Sequence, residues 1–472
     1  MSTHTDIVAA LQARWPEHRI GRSLERIRAL TELLGEPQRS FPVIQITGTN
    51  GKGSTALMVE GLLRALGLRV GRLSSPHLVD VTERIAIDGQ PIDADAFDAL
   101  VADVLPLVEM VDAREIDGIA MTFFEVMTGL AYEAFAQAPV DVAVVEVGLG
   151  GSWDATSVAD AQVAVICPVD VDHSHLLGDT PAEIAQEKAG IIKPGGIAVS
   201  ADQRPDVAAV LTARAAEVGV RLLAEGRDFA LLERTAAVGG QVLRIDAADG
   251  PVGDLFLPLF GAHMAANAAL AVAAVEAFLG GRALAPDVLA EGLASVSAPA
   301  RLEVVRRSPT VVLDTAHNPH GVAATLDAVQ EAFGFAPLVA VMGVMADKDA
   351  EGMLALLEEH AQTIVCTQAS STSRGLSADD LAELAAERFG ADRVHTRAAL
   401  PDALELAVSL ADEAGAGAGV LILGSVIVAG EARAMLVTER PSVDAGDDGD
   451  DGDPADDDED DERDGEDVAW GR

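Results

Sequence analysis

The clearest pattern along the chain begins at residues 43–47, where V-I-Q-I-T forms a short, mostly apolar run. A glycine-rich segment follows. From Ser54 onward, S-T-A-L-M-V-E-G-L-L-R-A-L-G-L places apolar residues at helical spacing and ends near Gly67. The spacing predicts strand, loop and helix, with a second strand over 69–73. In such a βαβ unit the loop amides and the helix N-terminus face an anion. Further along, D-V-A-V-V-E-V (141–147) and V-A-V-I-C-P-V (163–169) predict buried strands. Each is followed by polar residues at its carboxyl end, the edge at which open α/β sheets bind ligands. Thr180-Pro-Ala-Glu183 reads as a capping box opening a helix that runs into E-K-A-G. Over 222–245 the pattern loosens, and irregular β structure is expected there.

The proline-containing V-S-A-P-A before Arg301 predicts a domain junction. Strand–helix alternation then restarts at T-V-V-L-D, L-V-A-V-M-G-V, T-I-V-C-T and G-V-L-I-L-G-S. The expected class is therefore α/β. Residues 1–298 form an N-terminal P-loop-type domain with a mainly parallel sheet. Residues 299–440 form a smaller Rossmann-like C-terminal domain, of ordinary domain size. No internal repeat of solenoid length is present.

Charge adds a third region. The chain of 472 residues carries a net charge of −43. Residues 441–472 hold sixteen acidic residues against two arginines. That segment has almost nothing to bury and is expected to be a disordered, solubilising tail. The acidic balance disfavours nucleic acid and anionic membranes as partners. No apolar stretch is long enough to span a bilayer, and the N-terminus lacks the pattern of a signal peptide. Cys167 and Cys366 each sit in an apolar run without metal-ligand spacing, as buried reduced thiols would. A cytoplasmic monomer is the expectation.

Only four of the 33 basic residues are lysines: Lys52, Lys188, Lys193 and Lys348. A chain so biased towards arginine is expected to keep lysine where a compact, deprotonatable amine is needed.

The glycine-rich segment, G-T-N-G-K-G-S-T from Gly48, is shorter than the usual P-loop spelling, which puts four residues between the first Gly and Gly-Lys. Gly48, Gly51 and Gly53 let the backbone approach phosphate oxygens. Lys52 can neutralise charge between β- and γ-phosphates, and Ser54 and Thr55 can bond phosphate or Mg²⁺. Glu146 and V-D-H-S-H (171–175) end two predicted strands at the same sheet edge, close in the pattern to S-S-P-H-L. Glu146, His173 and a serine hydroxyl could converge there. His173 reads equally as a metal ligand or as a hydrogen bonder at a helix start.

Taken together, T-G-T-N-G-K-G-S-T, S-S-P-H-L, T-F-F-E, E-V-G-L-G-G, V-D-H, E-K-A-G-I-I-K, G-A-H-M-A-A-N, R-L-E, L-D-T-A-H-N-P and D-K-D resemble, in this order over about 40–430, the bacterial folylpolyglutamate synthase/dihydrofolate synthase family of the Mur ligase superfamily. The acidic tail lies outside the resemblance. The resemblance implies an ATP-dependent ligase that phosphorylates a carboxylate and lets L-glutamate displace the phosphate. It implies that Thr49, Asn50, Gly51, Lys52, Gly53 and Ser54, with Asn267, Arg301 and Asp314, hold ATP. Ser75, Glu146 and His173 would hold Mg²⁺. Thr122, Phe123, Phe124 and Glu125, with Trp153, Asp154 and Ala155, would meet the pterin-bearing substrate. Lys188 corresponds to a lysine carbamylated in the superfamily, His317 is a further catalytic candidate, and Lys348 would act near the phosphates or the incoming glutamate. Lys193 receives no role. The implied substrates are dihydropteroate, reduced folates and L-glutamate.

The sequence departs from the family pattern at Ser152 and Ser157, where Arg and Asn are usual, at Met264, where Gln is common, and in the residue before Arg301, where Gly is frequent. Synthesis restricted to folates, or ligation of glutamate to a different acid, are the alternatives these leave. A P-loop kinase or GTPase switch would need a conventional Walker spacing and a base that directs water or a hydroxyl; neither is seen. A non-catalytic binding protein would not be expected to keep Lys52, Glu146 and Lys188.

Overall fold

The computed structural model describes residues 3–14 and 21–437; the acidic tail expected to be disordered lies outside the described residues. The first part of the chain forms α1 (His4–Gln12), α2 (Glu25–Leu33), β1 (Val43–Thr47), α3 (Lys52–Ala65), β2 (Val70–Leu73), β3 (Ile85–Ile87) and β4 (Gln90–Pro91). It continues with α4 (Ala94–Asp112), α5 (Phe123–Gln137), β5 (Val142–Glu146), β6 (Val163–Ile166), α6 (Ser174–Leu177), α7 (Pro181–Lys188), β7 (Ile197–Ser200), α8 (Pro205–Val218) and β8 (Arg221–Ala224). The eight strands form one sheet in the order β4-β3-β2-β5-β1-β6-β7-β8. Pairing is parallel from β2 through β8 and antiparallel at the β3 and β4 edge. β1 and β5 are buried at every position, which explains their continuous apolar runs: both faces of this sheet are covered.

The expectation of irregular β structure over 222–245 needs correction. β8 completes the parallel sheet. β9 (Ala230–Ala237), β10 (Gly240–Ala247) and β11 (Gly250–Leu257) then form a regular antiparallel sheet in the order β11-β10-β9, interrupted only by bulges. β10 buries alternate residues, and its bulges break the period that a sequence reader counts. Against this sheet and the first lies α9 (Ala262–Phe278), whose alanine-rich surface is buried on nearly all sides, so no polar face marks it. α10 (Pro286–Ala294) completes this layer.

From Arg301 the chain builds β12 (Arg301–Arg307), β13 (Thr310–Asp314), α11 (Pro319–Ala332), β14 (Leu338–Met342), α12 (Ala350–His360), β15 (Thr363–Cys366), α13 (Ala378–Phe389), β16 (Val394–Thr396), α14 (Leu400–Ala414), β17 (Gly419–Leu423) and α15 (Val426–Leu436). The order is β12-β13-β17-β14-β15-β16, parallel except for the β12–β13 hairpin. The four predicted strands are β13, β14, β15 and β17; the two edge strands are additional. Apolar clusters lie on both faces of this sheet. Both cysteines are free and buried, and burial pushes the Cys167 thiol up to about 11 and that of Cys366 to about 12. Among the described residues, no helix is long and apolar enough to cross a membrane.

Candidate active site

The carboxyl ends of β1, β2, β5 and β6 open onto a cavity of about 680 Å³, and so do those of β13, β14 and β17. Its wall includes Thr49–Gly53, Ser75, Glu146, Asp172, His173 and Lys188 from the first sheet's loops. Arg301, His317, Lys348 and Ser425 come from the C-terminal part.

The loop between β1 and α3 is shaped for an anion. Gly51 has a φ of +88°, which favours glycine, and a Cβ there would stand 2.9 Å from Oδ1 of Asn267, whose amide would have to shift. The loop is tied to the end of β6: the Thr49 amide donates to the Pro168 carbonyl (2.9 Å) and the Thr49 hydroxyl to that of Asp170 (2.8 Å). Lys52 begins α3, and its ammonium donates to the Gly48 and Thr49 carbonyls at 3.2 and 3.3 Å. A cation, a helix N-terminus and open amides thus share one spot.

Glu146 ends β5 and is buried. Burial pushes its carboxyl up, while Lys52, the Ser75 amide (3.2 Å), Arg301 and Arg72 oppose that shift. A Cβ at Gly53 would lie 3.6 Å from Glu146 Oε2 and 3.8 Å from Arg301 Nη2, so both side chains border the start of α3.

Lys188 ends α7, a helix set by the expected capping box: the Glu183 amide donates to Thr180 Oγ1 (3.3 Å) and the Thr180 amide to the Glu183 carboxylate (3.0 Å). Its side chain is buried and donates to the Gly48 carbonyl at 2.9 Å. Burial first, then the Lys52 charge, lower its pKa to about 7. At neutral pH much of it is therefore a free amine. In the unfolded chain it would be protonated up to about 10.5, so the folded state is penalised most below pH 7 and the penalty fades as pH rises towards 10. Melting curves of Lys188→Met against bicarbonate-free native protein should show the native deficit largest near pH 6 and shrinking towards pH 10. A constant difference across that range would mean that the amine is not desolvated.

Sequence reading missed the residue that joins the two halves. Asp172 accepts from Lys348 Nζ (2.7 Å) and Asn318 Nδ2 (3.3 Å), and its Oδ2 lies 3.8 Å from His317 Nε2. Burial opposes its ionisation, but His173, Lys348 and His317 outweigh that and hold the carboxyl well below its usual range. His173 is itself lowered to about 4, chiefly by burial, so at neutral pH Lys348 is the cation that does this. Asn50 adds a second bridge: its Oδ1 accepts from Asn318 Nδ2 (3.1 Å), and its Nδ2 pairs with His320 Nδ1 (2.9 Å). Asp172 was visible in V-D-H, but nothing local marked it.

A family model described as "Mur ligase, glutamate ligase domain" matches residues 300–426. The dihydrofolate synthase/folylpolyglutamate synthase of Mycobacterium tuberculosis is 47% identical over 449 residues, 90% of this chain and 92% of that protein. The enzyme of the same name from Escherichia coli is 35% identical over 77% of this chain and 81% of its own. The chain belongs to the dihydrofolate synthase/folylpolyglutamate synthase family. Among solved structures, the M. tuberculosis folylpolyglutamate synthase complexed with ADP superimposes with a TM-score of 0.89 at 46% identity, over 92% of this chain and 98% of that one. An FPGS–AMPPCP–folate complex gives 0.82 at 33% identity, over 93% and 100%.

The family motifs do not all reach the cavity. Thr122 and Glu125 line it, yet their polar atoms make a second capping box that opens α5, and Glu125 pairs with buried Arg26 at 2.9 Å. Phe124 lines the wall; Phe123, expected at the substrate, lies in the core under the Arg84 guanidinium. Trp153, Asp154 and Ala155 line it. Asp154 is buried, which raises its carboxyl to about 6 although the Leu149 and Thr156 amides donate to it. Three expected nucleotide residues stand behind the wall rather than in it. Ser54 is buried in α3, and Asn267 backs Gly51. Asp314 accepts from the Leu302 and Ala316 amides and the Thr325 hydroxyl, fixing the hairpin that carries Arg301. Arg301 itself donates to the Thr315 hydroxyl. Lys193, left without a role, donates to the Ser157 and Ala159 carbonyls (2.5 and 2.6 Å) and so staples the loop after Trp153. At the departures, Ser152 Oγ donates to Glu187 (2.6 Å), and buried Ser157 donates to the Gly151 carbonyl while accepting from Gln45. Both serines are built into the loop's own bonding.

Proposed function

We propose that this protein ligates L-glutamate to dihydropteroate and to the γ-carboxylate of reduced folates, using ATP and passing through an acyl phosphate. The observation that carries the reading is the convergence of Lys52, Lys348 and Arg301 from two sheets on one cavity that also holds Trp153 and Phe124. Three cations suit a phosphoryl group in transfer, and the aromatic wall suits a pteridine.

In this reading residues 1–298 form the ATP-binding domain, 299–440 the glutamate-ligase domain and 441–472 an acidic tail, in a monomer working in the cytoplasm. The β1–α3 loop and Lys52 hold the β- and γ-phosphates. The acid's carboxylate oxygen attacks the γ-phosphorus and ADP leaves. The glutamate amine then attacks the acyl carbon and phosphate leaves with that oxygen. His317 lines the same wall as a neutral imidazole: its pKa is lowered to about 4, first by burial and then by Lys348, and its Nδ1 lies 2.9 Å from the Thr315 carbonyl. So weak a base suits hydrogen bonding to the incoming glutamate rather than removal of a proton from its ammonium.

Ser75, Glu146 and His173 fit Mg²⁺ as two oxygen donors and one neutral imidazole lining the same wall. Magnesium prefers oxygen ligands, so phosphate oxygens would complete its shell. Bound there, it would supply Lewis-acid charge neutralisation. Lys188 suits carbamylation: its amine is partly neutral and nucleophilic towards CO₂, a proton is released, and the product is an anionic oxygen donor.

The test offers the purified protein Mg-ATP, L-glutamate and either dihydropteroate or tetrahydrofolate, following ADP and product mass. Amide product in both arms is expected. Product with tetrahydrofolate alone would restrict the activity to folates, and product with neither would overturn the reading.

A further inference from the structure

Arg301 reaches the cavity from an unusual stretch of backbone. The residues on either side of it, Ala300 and Leu302, have φ of +52° and +51°, a left-handed conformation that L side chains rarely adopt. Both are buried, and a bulge interrupts the β12–β13 pairing between Arg301 and Glu303. Three consecutive amides hold this turn. That of Ala300 donates to Glu303 Oε2 (2.7 Å), that of Arg301 to the Ala298 carbonyl (3.2 Å) and that of Leu302 to Asp314 Oδ2 (3.0 Å). Glu303 has a further partner. Nε of Arg433, on α15, donates to its two oxygens at 3.2 and 3.0 Å, and both side chains are partly buried. α15 is capped by Ser425, and Ser425, Val426 and Ile427 line the cavity. Glu303 therefore stands behind the wall and ties two parts of it together.

We propose that Glu303 is a positioning residue: its carboxylate, held by Arg433, fixes the left-handed turn that aims Arg301 at the phosphates of ATP. This rests on the ligase reading above. A glycine takes a positive φ without strain, whereas Ala300 and Leu302 keep it only while their surroundings hold them there. A bond from an amide to a carboxylate is charge-assisted and is a strong hold. Without it the turn relaxes towards ordinary strand conformation. Arg301 is the next residue, so its guanidinium then swings away from the start of α3.

A double-mutant cycle with Arg301→Ala tests this, using Mg-ATP, L-glutamate and tetrahydrofolate in steady-state kinetics. Glu303→Ala should lower kcat/KM for ATP about tenfold, leaving KM for tetrahydrofolate and L-glutamate within about twofold. Glu303→Gln keeps an oxygen for the Ala300 amide and should lose only about threefold. Added to Arg301→Ala, either change should cost less than about twofold more, because the group it positions is already gone. An unchanged kcat/KM for ATP, a KM rise shared by all three substrates, or a loss that multiplies with that of Arg301→Ala would overturn the assignment. If Glu303→Ala does not fold, the near-isosteric Glu303→Gln decides the cycle by the same criteria. Failure of the ligase reading would show separately, as absence of product from the unmutated protein.

Discussion

Lys52→Ala is expected to lower kcat for ADP release about a thousandfold, the scale of losing one preorganised charge at a reacting group. Lys52 begins α3 with its ammonium held over the loop by two carbonyls, so the charge is placed before ATP arrives. Nothing else in the loop carries a positive charge, and Arg301 approaches from the other sheet. Lys52→Arg should be nearly as poor, because a wide planar fork replaces a point charge in a turn already closed behind by Asn267. The melting temperature should barely move, since the side chain is only partly buried. Turnover within tenfold of the native rate in a coupled ADP assay would remove Lys52 from the phosphoryl-transfer step.

The second large effect concerns Lys188. Lys188→Ala should also reduce turnover about a thousandfold, and millimolar acetate should restore a measurable part by placing a carboxylate where the carbamate would lie. Lys188→Arg should be equally inactive and should not respond, because guanidinium cannot be carbamylated and fills the space. In parallel, native protein supplied with carbon-13 bicarbonate should give a carbamate resonance that the Ala variant lacks. No resonance in a fully active sample would leave Lys188 as a plain buried amine bonded to Gly48.

How much of this was readable in the chain depends on locality. β1, the phosphate-type loop and α3 were legible because strand period, glycines and helix period follow each other within 25 residues. The α7 capping box, and with it the placement of Lys188, was legible for the same reason. α4 and α5 were not anticipated: α4 carries Pro106 in its interior, a breaker by rule, and α5 is too apolar to show a polar face. The T-F-F-E motif pointed to substrate, yet its first use is to start α5; a capping pattern and a binding motif share the same letters. Asp172 was out of reach because its partner Lys348 is 176 residues away. The hold of Arg433 on Glu303 was out of reach likewise, across 130 residues. The retained lysines did carry information. Lys52, Lys188 and Lys348 all reach the cavity wall, and Lys193 braces a loop of that wall.

The most direct measurement follows one oxygen. Tetrahydrofolate carrying oxygen-18 in its γ-carboxylate, turned over with Mg-ATP and L-glutamate, should deliver one labelled oxygen to each phosphate released and keep the other in the new amide. Unlabelled phosphate accompanying labelled amide product would contradict an acyl phosphate, and with it the proposed reason why Lys52, Arg301 and Lys348 line one cavity.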